Sequence, residues 1–254
     1  MGLFDRFRRP DRTFGFIRDR IDSRDHGAVV LGLGDALAPP SVSLRHPAVA
    51  MRPQGGNASC VGFMVAQGIE LAYARRGVLT GDLSARAPYF WARARAGMLP
   101  FDAGSRPRDA MAAVKKFGLP TEKTCPTSSR LINTAPSWRA HREARDLGRG
   151  LRTYARLDPY DLETLRRTLA AGIPVGAGWA VDKAFRDYTG GAVVDSPRGE
   201  TIGYHAMLLT GYYSNGDWDL FNQSWANWGD VGGYARVTGG FVCEAADMWA
   251  LAVL

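Results

Sequence analysis

The hydrophobic spacing of this 254-residue chain changes period near residue 150, and that change restricts the fold more than any other feature. From Cys60 to about Arg76, apolar residues Val61, Met64, Val65, Ile69 and Ala72 recur at helical spacing, and Gly77 supplies a stop. Ser84 to Ala96 reads as a second helix, with Pro88 limiting its first turn. Ser105 suits an N-cap and Pro107 a first turn, which opens a third helix to Phe117. Trp138 to Asp146 reads as a charged, solvated helix. Beyond it the pattern changes. Leu151–Leu157 reads as a strand and Pro159–Ala171 as a helix. Ile173–Val181, Tyr204–Tyr213, Trp218–Gln223 and Tyr234–Val237 are apolar or alternating runs broken by Gly, Asn and Asp, which predicts strands and hairpins. A helical lobe followed by a sheet lobe predicts an α+β fold with a cleft between the two.

Composition narrows the function classes. Hydrophobic residues make up 46%, enough for a sizeable core, and no apolar run approaches the roughly 18 residues of a membrane span. The net charge is +7, yet lysine occurs only at Lys115, Lys116, Lys123 and Lys183, so arginine carries the basic character and is dispersed. No zinc-finger spacing or aromatic RNA-binding motif accompanies it, so no nucleic-acid partner is expected. The charge gives at most a weak preference for acidic substrates. Three cysteines, Cys60, Cys125 and Cys243, with no Cys-x-x-Cys pair, argue against a disulfide scaffold or a zinc ribbon. The N-terminus lacks the apolar stretch of a secretion signal, which predicts a cytoplasmic protein, specialised export aside.

Residues 1 to about 26 are rich in Arg and Asp and carry Phe4, Phe7, Phe14 and Phe16. The composition reads as a partly disordered arm. The aromatics offer the alternative of a short helix docked on the body or on a partner. Ala38 to Arg45, with its two prolines, reads as an extended lead-in.

The chemistry concentrates at Gln54-Gly55-Gly56-Asn57-Ala58-Ser59-Cys60. Cys60 stands where a helix begins, and a helix N-terminus stabilises a thiolate. The Gln54 side chain and the Cys60 N–H are candidate oxyanion donors. A thiol nucleophile needs an imidazole. Of four histidines, His26 and His46 lie in the arm and lead-in, His141 on the charged helix, and His205 opens an apolar strand. The alternatives are a structural histidine, an inert buried cysteine and a mere tight turn before it.

Taken together these segments resemble the papain-like cysteine peptidases, and most nearly their bacterial members. The resemblance rests on Pro39-Pro40-Ser41-Val42 with Leu44-Arg45, Gln54 to Cys60, Leu83-Ser84, Tyr89-Phe90 and Phe117-Gly118. It continues through Gly203-Tyr204-His205-Ala206, Gly211-Tyr212, Ser224-Trp225, Trp228-Gly229 and Gly233-Tyr234. It covers about residues 38 to 250. It implies a two-lobed papain-like fold, with a basic N-terminal arm over 1–37 that is disordered or a small lid, and a catalytic domain over 38–254. The helical lobe is then about 55–148 and the sheet lobe about 149–250. The implied activity is hydrolysis of peptide or isopeptide bonds through a Cys60 acyl-enzyme, with no metal or organic cofactor. His205 serves as general base and acid, Gln54 as an oxyanion donor, and Trp225 as a shield over the histidine–amide hydrogen bond. Trp225 and Trp228 also suit simple core packing. Substrate backbone is expected along Ala58, Ser59, Gly104, Ala206 and Trp225.

The chain departs from the family pattern in four places. The amide that orients the histidine is Gln223 if counted from Ser224-Trp225, and Asn222 if counted from Trp228-Gly229; adjacent strand residues face opposite sides, so one of them reaches His205. Val61 stands where an aromatic commonly follows the nucleophile. Asn57 stands where the family usually has a cysteine, with no bridge partner near Ala103-Gly104, in keeping with a reducing compartment. The region before residue 38 is too short for a large inhibitory prodomain. A protein that only binds a peptide or partner in the cleft is the alternative from another class. An amidase or acyltransferase would use the same residues on a different bond.

Overall fold

The computed structural model describes residues 13–34, 37–195 and 199–254. Two β-strand residues, β1 (Val42–Ser43), precede four helices: α1 (Cys60–Ala74), α2 (Arg86–Arg95), α3 (Pro107–Phe117) and α4 (Trp138–Leu147). The rest is β2 (Leu151–Arg156), α5 (Leu162–Ala170), β3 (Val175–Val181), α6 (Lys183–Arg186), β4 (Gly203–Tyr212), β5 (Trp218–Phe221), β6 (Tyr234–Val237), α7 (Gly239–Cys243) and β7 (Asp247–Val253). The sheet is antiparallel in the order β2-β7-β3-β4-β5-β6, with β1 added to β4. This is the helical part followed by the antiparallel sheet that the change of period predicts.

Every residue of α1 is buried. A helix that is apolar on all sides belongs in a core, and α1 packs between α2 and α3 on one side and β3, β4 and β7 on the other. Gly62 permits the contact with α2, because a Cβ there would lie 2.2 Å from the Ala85 carbonyl oxygen. Side chains such as Met64, Val65 and Ile69 each contribute roughly 1.5–3 kcal/mol by leaving water. The first turn of α1 is thereby fixed at the sheet surface, which places Cys60 beside β4.

Three readings of local structure change. The N-cap of α3 is Arg106, not Ser105. The Ser105 backbone is instead engaged by residues 15 and 17, which holds it extended. The C-terminal strand β7, in the sheet between β2 and β3, has no counterpart in the sequence reading. All seven of its residues are buried, so its alternation is masked. Among the described residues, the arm aromatics Phe14 and Phe16 lie on non-helical chain against the body, and the one helical turn of the arm is a 3-10 helix at Ala28–Leu31 that buries Leu31, while Phe4 and Phe7 lie outside the described residues. No helix among the described residues is long and apolar enough to cross a membrane.

Candidate active site

Cys60 is the first residue of α1 and is fully buried. The loop before it is braced internally. Gln54 Nε2 donates to the Asn57 carbonyl at 2.7 Å, and Asn57 Nδ2 donates to the Gln54 carbonyl at 3.3 Å. This reciprocal pair stands where the family pattern has a cysteine, and all three thiols are free. The Gln54 N–H donates to the Ser224 carbonyl at 2.9 Å, tying the loop to the segment after β5.

His205 lies on β4 opposite Trp179 of β3. Its Nε2 meets Asn222 Oδ1 at 3.0 Å and Ser224 Oγ at 3.4 Å. The Trp225 ring stacks on the imidazole, with centroids 4.0 Å apart and planes at 24°. Nδ1 is buried and has no hydrogen-bond partner among the described residues. Asn222 thus fixes the Nε2 edge and leaves Nδ1 as the nitrogen available for proton exchange. Gln223 does not reach His205. Its Nε2 donates to the Ala206 carbonyl at 3.0 Å and to the Cys60 carbonyl at 3.4 Å. Of the two amides the sequence leaves open, the structure brings Asn222 to the imidazole. Trp228 lies apart, packed on Phe185, with its Nε1 donating to the Phe185 carbonyl at 2.7 Å.

Burial pushes the Cys60 thiol up to about 12, although the N–H groups of Ala206, Gly15, Val61 and Cys60 itself pull it down. Burial also brings His205 down to about 3, against the hydrogen bond that Asn222 Oδ1 accepts from the ring. Both directions favour an uncharged thiol and imidazole. The N-terminal arm adds to that burial by lying in the cleft. The Thr13 carbonyl accepts from Gln54 Nε2 at 2.8 Å. Gly15 passes so close to the loop that a Cβ would lie 1.9 Å from the Ala58 carbonyl oxygen. Its carbonyl accepts from Ser105 N–H at 2.9 Å, and Ile17 N–H donates to the Ser105 carbonyl at 3.1 Å. Phe14 packs edge-on to Trp225 and lies over Gly203, and the Phe16 ring covers Gly178. Ala58, Gly104 and Trp225 therefore border the arm, and Ala206 is fully buried on β4.

Two residues without a role in the sequence reading shape this groove. Asp102 Oδ1 accepts from Ala58 N–H at 3.1 Å and from the Tyr89 hydroxyl at 2.5 Å. The same hydroxyl accepts from Gly104 N–H at 3.2 Å. The network ties Ala58 to Gly104 on the helical side of the cleft. Only the Tyr89-Phe90 match hinted at it. An isolated aspartate after Phe101 carries no signal in sequence.

Residues 38–253 match the sequence profile of the papain family of cysteine proteases. The chain belongs to that family. Its fold is that of xylellain, a cysteine protease from Xylella fastidiosa, with a TM-score of 0.81 at 22% identity over 97% of this chain and 98% of that one. Procathepsin L 3 from the larval midgut of Tenebrio molitor aligns with a TM-score of 0.72 at 21% identity, over 92% of this chain and 76% of that one. The cysteine protease CMS1MS2 from Carica candamarcensis, crystallised with E-64, aligns with a TM-score of 0.65 at 22% identity, covering 84% and 98%. No curated protein sequence matches the chain.

Proposed function

We propose that this papain-family protease cleaves peptide or isopeptide bonds through a thioester on Cys60. His205 Nδ1 takes the thiol proton as sulfur attacks the carbonyl carbon. The oxyanion is held by Gln54 Nε2 and the Cys60 N–H. Collapse breaks the C–N bond, and His205 returns the proton to the departing amine. Water, deprotonated by His205, then attacks the thioester and regenerates the thiol. The indole face of Trp225 favours the imidazolium intermediate and keeps water from the histidine–amide bond. The observation that carries the reading is the contact of His205 Nε2 with Asn222 Oδ1 at 3.0 Å under the Trp225 ring. It supports chemistry over peptide binding alone, because a protein that only bound a peptide would not need an imidazole held by an amide on one edge and left, among the described residues, without a partner on the other.

The form in which the arm lies in the cleft is latent. Thr13 occupies the Gln54 donor that a tetrahedral intermediate needs, and Gly15 covers the sulfur. Three free thiols suit a reducing compartment, and a cytoplasmic setting belongs to the proposal. The test is site-resolved labelling with an epoxide thiol probe, together with turnover of a casein-type protein substrate. Labelling at Cys60 that requires His205 is expected. Equal labelling of Cys125 and Cys243, with no turnover after the arm is removed, would reject the protease mechanism.

A further inference from the structure

We infer that Gln223 is a positioning residue for the nucleophile, so that the two adjacent amides divide the reacting pair: Asn222 orients His205, and Gln223 holds Cys60. The inference deepens the proposed function and rests on Cys60 and His205 being the reacting pair.

The geometry begins in β4. Ala206 lies opposite Gly178 of β3, and Gly178 gives its carbonyl to Ala246 rather than to β4. In an antiparallel pair the N–H and C=O of one residue leave on the same edge. Both polar groups of Ala206 therefore turn away from β3 toward the β5 side, where Gln223 follows the strand. The N–H pulls the Cys60 thiol down against burial, and the C=O accepts from Gln223 Nε2 at 3.0 Å. The second hydrogen of the same amide goes to the Cys60 carbonyl at 3.4 Å. A bridge results: one hydrogen of the Gln223 amide goes to the Ala206 carbonyl and the other to the Cys60 carbonyl. It sets the distance between the first turn of α1 and the strand that carries His205.

Three details favour positioning over simple filling. The amide orientation is dictated, since a swap would set its oxygen against two carbonyl oxygens. Oε1 has no partner among the described residues, so a buried acceptor is left unsatisfied while both donors are used. The Gln223 backbone is itself anchored. Its carbonyl accepts from Arg52 N–H at 3.1 Å. Arg52 is held in turn by buried Glu70 at 2.7 Å. The chain from Glu70 to Gln223 is rigid, and its free end grips the nucleophile.

The test substitutes Gln223→Met, which preserves length and removes the donors. Iodoacetamide alkylation of Cys60 is followed by peptide mass from pH 5 to 10 in the full chain carrying Gly15→Ala, the substitution that sets the arm against the Ala58 carbonyl, and every variant below is made in that reference chain, with thermal melting recorded alongside. With the arm displaced, a thiolate–imidazolium pair keeps alkylation of the reference chain fast on the acid side. In Gln223→Met the acid-side rate, taken relative to the alkaline rate of the same protein, falls about tenfold, close to the profile of His205→Ala. The alkaline rate itself stays within about twofold of the reference chain. Gln223→Asn keeps the amide but shortens its reach. It is expected to fall between, and it decides the matter if the Met variant does not fold. A lowered melting temperature with an unchanged acid-side ratio would reduce Gln223 to a structural brace and overturn the inference. A Gly15→Ala reference chain that already follows an ordinary thiol curve, indistinguishable from the same chain with His205→Ala, would overturn the reacting pair and this inference with it.

Discussion

The carbonyl oxygen of Thr13 sits 2.8 Å from Nε2 of Gln54, so the arm presents an acceptor to the donor that a reacting carbonyl would use. Gln54 is also braced to Asn57, and its donor is aimed before any substrate arrives. The consequence is competition: arm and substrate cannot hold that donor at once. Activity therefore scales with the fraction of molecules in which the arm is displaced.

Gly15 is the place to shift that balance. Any side chain there meets the Ala58 carbonyl, and the rigid loop behind Ala58 is unable to retreat. Gly15→Ala is expected to raise kcat/KM and Cys60 labelling several-fold, toward the values of a chain lacking residues 1–30. The melting temperature of the body should change little, since Gly15 contributes no side chain to the core. Measuring both rates on the three proteins checks this. Slower labelling in Gly15→Ala would show that the arm supports the site and does not block it.

The arm is fastened beyond the cleft by carboxylates. Asp19 N–H donates to Asp247 Oδ2 at 2.7 Å, and Asp19 Oδ2 accepts from Arg108 N–H at 3.0 Å. Asp25 pairs with Arg108 at 2.6 Å and Arg156 at 3.1 Å, and Arg156 also pairs with Asp247. Arg18 and Asp109 complete the charges acting on the two carboxylates. Burial, against the pull of Arg108, raises Asp19 from 3.8 to about 7, and burial raises Asp247 as well. A released Asp19 titrates as an ordinary aspartate, so the docked arm binds the proton more tightly. Docking is then strongest below the ordinary value and weakens as pH rises through about 7. The activity of the full chain, divided by that of the arm-deleted chain, should climb between pH 6 and 8. Asp19→Asn should flatten that ratio and keep it low. A ratio that falls with rising pH would place the controlling group elsewhere.

Asn222→Ala removes the group that fixes the Nε2 edge of the imidazole. Turnover is expected to fall by about a hundredfold, within the range of a lost acid–base alignment, with little change in KM. Steady-state kinetics on the arm-deleted chain measures it. Comparable kcat in the two proteins would mean that Trp225 and Ser224 suffice to hold the ring.

The main features of the fold were legible because their signals are local. Helical spacing after Cys60 placed α1 within two residues of its end, and the Gly/Pro punctuation near Pro107 placed α3. What was illegible depends on distant partners. Strand β7 is buried on both faces, so its run carries no alternation. Ser105 reads as a cap until Gly15 and Ile17 take its backbone. The choice between Asn222 and Gln223 turns on one residue of register after β5, and both side chains find amide-compatible partners. Only the position of Ala206 against α1 separates them. The arm looked disordered because few of its residues are apolar. Phe14 and Phe16 nevertheless dock where Gly203 and Gly178 leave room, and charge pairing holds the rest.

Gln54→Ala separates the two duties of one side chain. As an oxyanion donor, Gln54 acts only when negative charge forms on the substrate oxygen, so its loss should lower kcat by roughly 10²–10³. As the acceptor's partner for Thr13, it also steadies the closed arm, so its loss should open the cleft. Turnover and thiol access are then expected to move in opposite directions: slower cleavage of peptide, faster alkylation of Cys60. The two effects are measured on the same protein, with the arm-deleted form of Gln54→Ala as reference. There the alkylation gain should vanish, because no arm remains to be released, while the loss of kcat persists. Alkylation that slows along with turnover would mean that Gln54 holds the loop of Cys60 in shape and does not tether the arm.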